Sequence, residues 1–297
     1  MSSIAVLGEA LIDVFPDAQV IGGAPFNVAR NLAALGASPL MLTRIGDDAA
    51  GELIKAEFVR WGMNAKGLQC DEQRATGLVH VHLSAEGHRF EIGRDAAWDA
   101  LDRAQALQAL NEAGPEQIYF GTLAQRSATS REAIRAALAS SPALRFLDLN
   151  LREGPDMREI SLESLALADV VKVNDDELRQ LSAWFLESGL NEREAAASLV
   201  KTHALTRLII TRGSQGYGCF DRELGWLEGP SRRVTVRDTV GAGDAFASVM
   251  LLGQARRWDL ATSLQRASDF AASVCTFRGA MDASMQTYAQ ARAAWAD

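Results

Sequence analysis

The sequence predicts an α/β protein built on a mainly parallel sheet. Three observations carry that expectation. Short apolar runs bounded by turn residues alternate with helical patterns along most of the chain, one stretch breaks this rhythm with hairpin-like alternation, and a glycine-rich turn near residue 241 opens directly onto a helix-forming segment.

Taken in order, Ile4 to Leu7, Leu40 to Ile45, Gln117 to Phe120, Arg145 to Leu149, Val170 to Val173 and Leu208 to Thr211 read as strands. Between them, Asn27 to Leu35 reads as a helix in which Val28, Leu32 and Leu35 share a face and Gly36 supplies the stop. Further helices are expected at 99–112, 130–140, 175–187, 191–203, 245–257 and 260–277. From Ala75 to Ile92, two alternating runs flank a Ser84 to Gly87 turn, and Leu11 to Val20 offers an extended piece to the same small sheet. An added sheet near the strand C-termini is placed to act as a lid, because ligands bind at that edge of a parallel sheet. The expected organisation is one domain over 1–297, with a lid from about 11–21 and 75–95 inserted in it.

Hydrophobic residues make up 48% and charged residues 23%, an ordinary globular balance. The net charge of -8 comes without any basic block, which argues against a nucleic acid partner. Attraction of an anionic ligand would fall to helix N-termini and a bound cation. The three cysteines, Cys70, Cys219 and Cys275, are widely spaced and suggest neither a disulfide framework nor a zinc site. The four histidines form no triad or metal spacing. No apolar run approaches the ~18 residues of a membrane span. A cytoplasmic protein without a membrane partner is expected.

The most specific signal is Asp238-Thr239-Val240-Gly241-Ala242-Gly243-Asp244, followed by helix-forming residues from Ala245. Glycine turns let backbone N–H groups converge at a helix N-terminus, where partial positive charge gathers, and a carboxylate stands beside that point. An anion hole with a neighbouring base suits phosphoryl transfer, in which charge spreads over the transferred oxygens while the attacking hydroxyl loses a proton. The structural alternative is a glycine turn with Asp244 as the next helix's N-cap. Other elements are Gly8-Glu9-Ala10-Leu11-Ile12-Asp13 and the diglycine run Gly22-Gly23-Ala24-Pro25-Phe26-Asn27. They are followed by Asp148-Leu149-Asn150-Leu151-Arg152, Asn174-Asp175-Asp176-Glu177, Thr211-Arg212-Gly213-Ser214-Gln215-Gly216 and Phe277-Arg278-Gly279-Ala280. Without further context, Asn174 and Glu177 read as a helix N-cap with its capping-box partner.

In that order and spacing, the elements resemble the two signatures of the PfkB, or ribokinase-like, carbohydrate kinases, and the fructokinase branch in particular. The resemblance spans Gly8 to Ala280 and implies a ribokinase-like three-layer α/β/α domain with a small β lid. It implies that Asp244 is the base and that N–H groups of Gly241, Ala242 and Gly243 stabilise the phosphoryl in flight. Asp13, Gly23 and Asn27 would hold the sugar, Gly22 and Gly23 would flex as the lid closes, and Arg152 would meet phosphate or an acidic substrate group. Asn174 and Glu177 would organise Mg2+ and phosphates through water, and Thr211, Gly213 and Gly216 would line the phosphates of ATP. Around Asp238, Val240 and Gly279, carbonyls would hold a monovalent cation such as K+. The stretch Ala267-Ser268-Asp269 departs from the family pattern where relatives often carry an Asn, and the eight residues between Asp13 and Gly22 make a short lid.

Ala24-Pro25 stand where phosphosugar branches carry Lys-Gly after the diglycine, so no lysine is available there to pair a phosphate dianion. The expected reaction is ATP-dependent phosphorylation of the primary hydroxyl of an unphosphorylated ketohexose, D-fructose foremost. The alternative substrate is 2-keto-3-deoxygluconate, toward which Arg94 offers a cation without the aromatic-Arg pattern of that branch. A non-catalytic sugar sensor is the reading from another class, and the intact Asp244, Asn174 and Glu177 set argues against it. A homodimer formed through the lid is a further expectation from the resemblance.

Overall fold

The computed structural model describes residues 3–84, 87–152, 154 and 156–296, with the backbone alone at 82–84 and 87–90. In β1 (Ile4–Leu7), Ile4 and Val6 enter one hydrophobic core while Ala5 and Leu7 enter the other. A strand buried on both faces reads as a continuous apolar run, which is why this one was legible. Its parallel neighbours are β4 (Leu40–Gly46) and β8 (Gln117–Gly121). The sheet continues through β9 (Leu144–Asp148), β10 (Val170–Asn174) and β11 (Arg207–Thr211), all parallel, and ends on the other side at β5 (Leu68–Asp71). Two antiparallel strands, β12 (Tyr217–Asp221) and β13 (Gly225–Gly229), complete a nine-stranded sheet of order β13-β12-β11-β10-β9-β8-β1-β4-β5.

Helices cover both faces. One core is built from α1 (Ala24–Ala34), α2 (Ala49–Arg60), α8 (Ala242–Ala255), α9 (Leu260–Val274) and α10 (Gln286–Ala294). The opposite core is built from α3 (Arg103–Ala113), α4 (Ala128–Ala139), α5 (Met157–Leu167), α6 (Asp175–Phe185) and α7 (Glu192–Thr202). The result is the three-layer α/β/α arrangement expected from the sequence. No helix among the described residues is long and apolar enough to cross a membrane.

A second, four-stranded sheet has the order β3-β2-β6-β7, from β2 (Leu11–Val14), β3 (Gln19–Gly22), β6 (Gly77–Ser84) and β7 (Gly87–Ile92). The extended piece at 11–20 thus resolves into two antiparallel strands turned by a hydrogen bond from Phe15 N to Ala18 O (2.8 Å). The expected β6–β7 hairpin is present, although Ala85 and Glu86 of its turn, and the side chains of His82 and His88, lie outside the described residues.

Several boundaries differ from the periodicity. Residues 97–100 form a 3-10 turn, and α3 starts later because Asp102 caps it, its side chain accepting from Gln105 N. Helix α8 begins at Ala242 rather than 245, since Gly241, at φ 78°, takes the N-cap and its carbonyl accepts from Ala245 N at 2.8 Å. Asp244 therefore lies in the first turn of that helix and is not its N-cap. Helix α9 ends at Val274 rather than 277. The sequence reading singled out no element at 49–60, 68–71, 157–167, 217–229 or 286–294, where the structure has α2, β5, α5, β12–β13 and α10.

Candidate active site

The motifs converge at the C-terminal ends of the central strands, the edge where parallel sheets bind ligands. Asp148 closes β9, Asn174 closes β10, and Thr211 closes β11 directly opposite Asn174. Asn150 adopts φ 40°, a left-handed conformation that Asn tolerates, and the chain turns there toward Leu151 and Arg152.

Two glycines shape the entry to α1. A Cβ on Gly22 would stand 2.2 Å from Asp13 Oδ2, so glycine lets the Asp13 carboxylate lie against this segment. Gly23, at φ 101°, is the N-cap of α1, and a Cβ there would stand 2.5 Å from Glu9 O. Its carbonyl accepts from Asn27 N at 2.8 Å. From the first turn of α1, Asn27 Nδ2 donates to Asp244 Oδ2 at 2.7 Å, joining the two ends of the chain.

Burial pushes the Asp244 carboxyl up to about 6; the Asn27 hydrogen bond opposes this, Asp148 adds to it, and Lys172 and Arg152 pull the other way. Asp13 is likewise pushed up to about 6 by burial against the pull of Arg152 and Arg30. Arg152, itself exposed, thus acts on three carboxylates, Glu9, Asp13 and Asp244, and donates a long hydrogen bond to Leu151 O.

The other motif residues are placed as follows. Asn174 Oδ1 accepts from Glu177 N (2.7 Å), and Glu177 Oε2 accepts from Asn174 N (2.8 Å), a complete capping box on α6. Glu177 Oε1 also accepts from Leu151 N (2.8 Å), so this carboxylate ties the loop carrying Arg152 to α6. Thr211 Oγ1 donates to Val173 O at 3.4 Å, and Gly213 takes φ 53° in a short turn with open space beside its Cα. A Cβ on Gly216 would stand 2.1 Å from Gly229 O, so this glycine serves the packing of β12 on β13. Asp238 accepts from Val240 N (3.1 Å) and from Gly279 N (2.8 Å), which brings together the three positions expected to flank a monovalent cation.

Four charged groups here carried no assignment from the sequence. Lys172 Nζ donates to both carboxylate oxygens of buried Asp148 at 2.9 and 3.1 Å, and it lies 3.2 Å from where a Cβ on Gly243 would be. Burial works against its charge, but Asp148, Glu177 and Asp244 outweigh it and hold the ammonium above its usual range. A lysine inside the apolar run Val170 to Val173 was the available signal, because such strands are rarely charged. Glu9 is buried with Oε2 unpartnered, and burial pushes its carboxyl up to about 7. Arg30 and Glu57 are buried as an ion pair of 2.9 Å behind Asn27, and nothing local in the sequence distinguishes them from solvated helix charges.

A helix N-terminus that opens on Gly241, a half-buried carboxylate in its first turn and a lysine beneath it form an arrangement suited to phosphoryl groups. The model of the pfkB family carbohydrate kinases matches residues 1–287. The chain belongs to this family. Aminoimidazole riboside kinase of Salmonella typhimurium is 30% identical over 305 residues, covering 95% of this chain and 92% of that protein. Fructokinase of Escherichia coli is 30% identical over 269 residues, covering 85% and 84%. A crystal structure of an uncharacterized sugar kinase from Pyrococcus horikoshii in complex with ATP superposes with a TM-score of 0.81 at 27% identity, covering 93% of each chain. This pfkB protein is a carbohydrate kinase, a phosphotransferase with an alcohol group as acceptor, and its fold is ribokinase-like.

Proposed function

We propose that this pfkB kinase transfers the γ-phosphoryl group of ATP to the primary hydroxyl of an unphosphorylated ketohexose, giving fructose 6-phosphate from D-fructose. The observation that carries the reading is Asp244 in the first turn of α8, beside Gly241 and held by Asn27. In the step, the sugar hydroxyl oxygen bonds to the γ-phosphorus, the bond from that phosphorus to the β–γ bridging oxygen breaks, and ADP leaves. Asp244 takes the hydroxyl proton, and N–H groups of Gly241, Ala242 and Gly243 receive the charge of the transferred oxygens. Asp13, Gly22, Gly23 and Asn27 hold the sugar, and Arg152 faces the transferred group. The second sheet acts as the lid of a single kinase domain, and its strands are where a second copy would dock.

The residues around the phosphates fit ATP and its ions. Nothing lies within 4 Å of where a Cβ on Gly213 would stand, so the turn is open, as lining the phosphates of ATP with Thr211 and Gly216 requires. Glu177 already accepts a backbone N–H at each oxygen, which supports its reaching Mg2+, with Asn174, through water. Gly279 N donates to Asp238 Oδ2 and so joins the two loops whose backbone carbonyls would hold K+. When bound, these ions neutralise phosphate charge.

Fructose is favoured by Ala24-Pro25 after the diglycine and by the fructokinase relative. A riboside is the second reading, favoured by the equally similar aminoimidazole riboside kinase. The test is ADP release with ATP and Mg2+ against fructose, ribose, aminoimidazole riboside, 2-keto-3-deoxygluconate and fructose 6-phosphate, with Asp244→Asn as control. Turnover with fructose, lost by roughly 10²-fold or more in Asp244→Asn while sugar binding persists, is expected. Turnover with the riboside or sugar acid alone would replace the substrate, and near-normal turnover in Asp244→Asn would overturn the base.

A further inference from the structure

Behind Asp244 runs a buried chain of polar side chains. Arg30 lies one helical turn beyond Asn27 on α1 and is 3% exposed. Its Nη2 donates to Asn27 Oδ1 at 2.5 Å and to Ile21 O at 2.9 Å, while its Nη1 donates to Glu57 Oε2 at 2.9 Å. Glu57 on α2 accepts in addition from Trp61 Nε1 at 2.6 Å. The guanidinium carbon lies 4.8 Å from the centre of the Phe26 ring, so the group is held on its face as well as at its edges.

An amide has one accepting end and one donating end, and a side chain left to itself can present either. Arg30 carries donors alone, so it can face only the Oδ1 of Asn27, and the Nδ2 must then point the other way. The other way is Asp244 Oδ2. We propose that Arg30, itself held by Glu57, is a positioning residue for the phosphotransfer reaction: it fixes which end of the Asn27 amide faces Asp244. The same Nη2 also holds the carbonyl of Ile21, next to the Gly22-Gly23 pair, so the segment entering α1 and the amide that meets Asp244 share one anchor. This inference rests on Asp244 being the base.

The consequence is legible in a pH profile. Asp244 is surrounded by Asn27 and Arg30 from α1, Asp148 from β9, Lys172 from β10, Arg152 beyond β9, Glu9 after β1 and Tyr119 on β8. Arg30 itself is faced by Glu57 from α2, Asp13 from β2 and Tyr288 from α10. Removing Arg30 and the charge of Glu57 together leaves the net charge of the pocket unchanged. What remains is the lost preference of the amide together with the direct pull of Arg30 on Asp244, which the Asn27→Ala background separates, and a carboxylate that loses a donor ionises at higher pH.

The experiment compares Arg30→Met/Glu57→Gln with the wild type, Arg30→Lys, Asn27→Ala and the Asn27→Ala/Arg30→Met/Glu57→Gln combination, in ADP release with the substrate the panel identifies. The Glu57→Gln change keeps an acceptor for Trp61, and thermal melts check that the double variant folds. The double variant is expected to lose about tenfold in kcat and to shift the acidic limb of kcat/KM upward by about one pH unit. KM for ATP is expected to stay within about twofold, because the anchor lies on α1 and α2 and none of the residues proposed for ATP belongs to them. Arg30→Lys, which keeps a donor and the partner of Glu57, moves the limb back toward the wild type. In the Asn27→Ala background, the Arg30 and Glu57 changes produce no further shift. If the melts show the double variant unfolded, Arg30→Gln/Glu57→Gln takes its place in the same comparison, since a glutamine at position 30 offers polar atoms to the groups Arg30 leaves and can present either end of its own amide. An unmoved limb, or equal shifts with and without Asn27, overturns the inference while leaving the base intact. Near-normal turnover in Asp244→Asn overturns both.

Discussion

Asn27 and Asp244 are 217 positions apart in the chain and 2.7 Å apart in the structure. One stands in the first turn of α1 and the other in the first turn of α8, so both carry side chains at helix N-termini. The contact joins the diglycine segment to the Gly241–Asp244 segment, and it ties the ionisation of Asp244 to the placing of the Asn27 amide.

The first prediction is the acidic limb of the wild type. As the proposed base, Asp244 must be ionised, and burial pushes its carboxyl up to about 6. Activity is therefore present above that value and falls as pH drops through it, by about tenfold per unit at the steep end. Asn27→Ala removes a hydrogen bond that favours the charged form, so its limb lies higher than that of the wild type. A kcat/KM profile that is flat down to pH 5 contradicts the assignment.

Glu9 gives a stability prediction of the opposite practical value. Burial raises its carboxyl from 4.5 to about 7, so between these values the native state binds a proton that the unfolded chain has released. The stabilisation is full below the unfolded value and is lost as pH rises through the folded one. Glu9→Gln removes this loss. At pH 8 the variant should be more stable than the wild type by at most about 3 kcal/mol, and at pH 4 the two should converge. Urea denaturation at both pH values measures the difference.

Lys172 and Asp148 form a buried pair beneath the anion hole, with Tyr119 Oη donating to Asp148 Oδ2 at 3.3 Å. Lys172→Met strands a buried carboxylate and is expected to cost about 3–5 kcal/mol of stability. Lys172→Met/Asp148→Asn removes the stranded charge while keeping an acceptor for Tyr119, and it should recover most of that loss. Activity should not recover, because the cation nearest Gly243 is still missing. Recovery of both would reduce the lysine to a structural role.

How much of this was legible in the sequence follows from how local each signal is. The strand ends at Asp148, Asn174 and Thr211 were legible because apolar runs stop at turn residues. Gly241 was legible as a glycine turn at a helix N-terminus, whereas the helix behind Gly23 was expected from Asn27 and starts at Ala24, so Gly23 and Asn27 stood out only through the family pattern of the diglycine run. The start of α8 was placed three residues late because Gly241-Ala242-Gly243 reads as a turn until its tertiary setting is known. Arg30 and Glu57 were illegible for a different reason. Their pairing spans 27 positions and two helices, and a charge on an amphipathic helix ordinarily faces water. α10 was missed as well, although Tyr288 on it reaches Asn31 on α1 at 2.9 Å across nearly the whole chain.

Two glycines of the site separate shape from chemistry. A Cβ on Gly241 would stand 2.4 Å from Ala280 Cβ, and the residue takes φ 78°, so Gly241→Ala combines a clash with backbone strain. It should lower both melting temperature and turnover, since the N-cap of α8 and the turn at Gly279-Ala280 must shift together. Gly22 sits elsewhere: a Cβ there would meet side-chain atoms alone, Asp13 Oδ2 nearest at 2.2 Å, without a left-handed φ. Gly22→Ala can be relieved by turning the Asp13 carboxylate away. If Asp13 holds a sugar hydroxyl, losing a hydrogen bond to a charged group raises KM for the sugar by roughly tenfold or more. KM for ATP and the melting temperature should stay near the wild type. A Gly22→Ala enzyme with unchanged sugar KM would remove Asp13 from the sugar site, whatever Asp244 does.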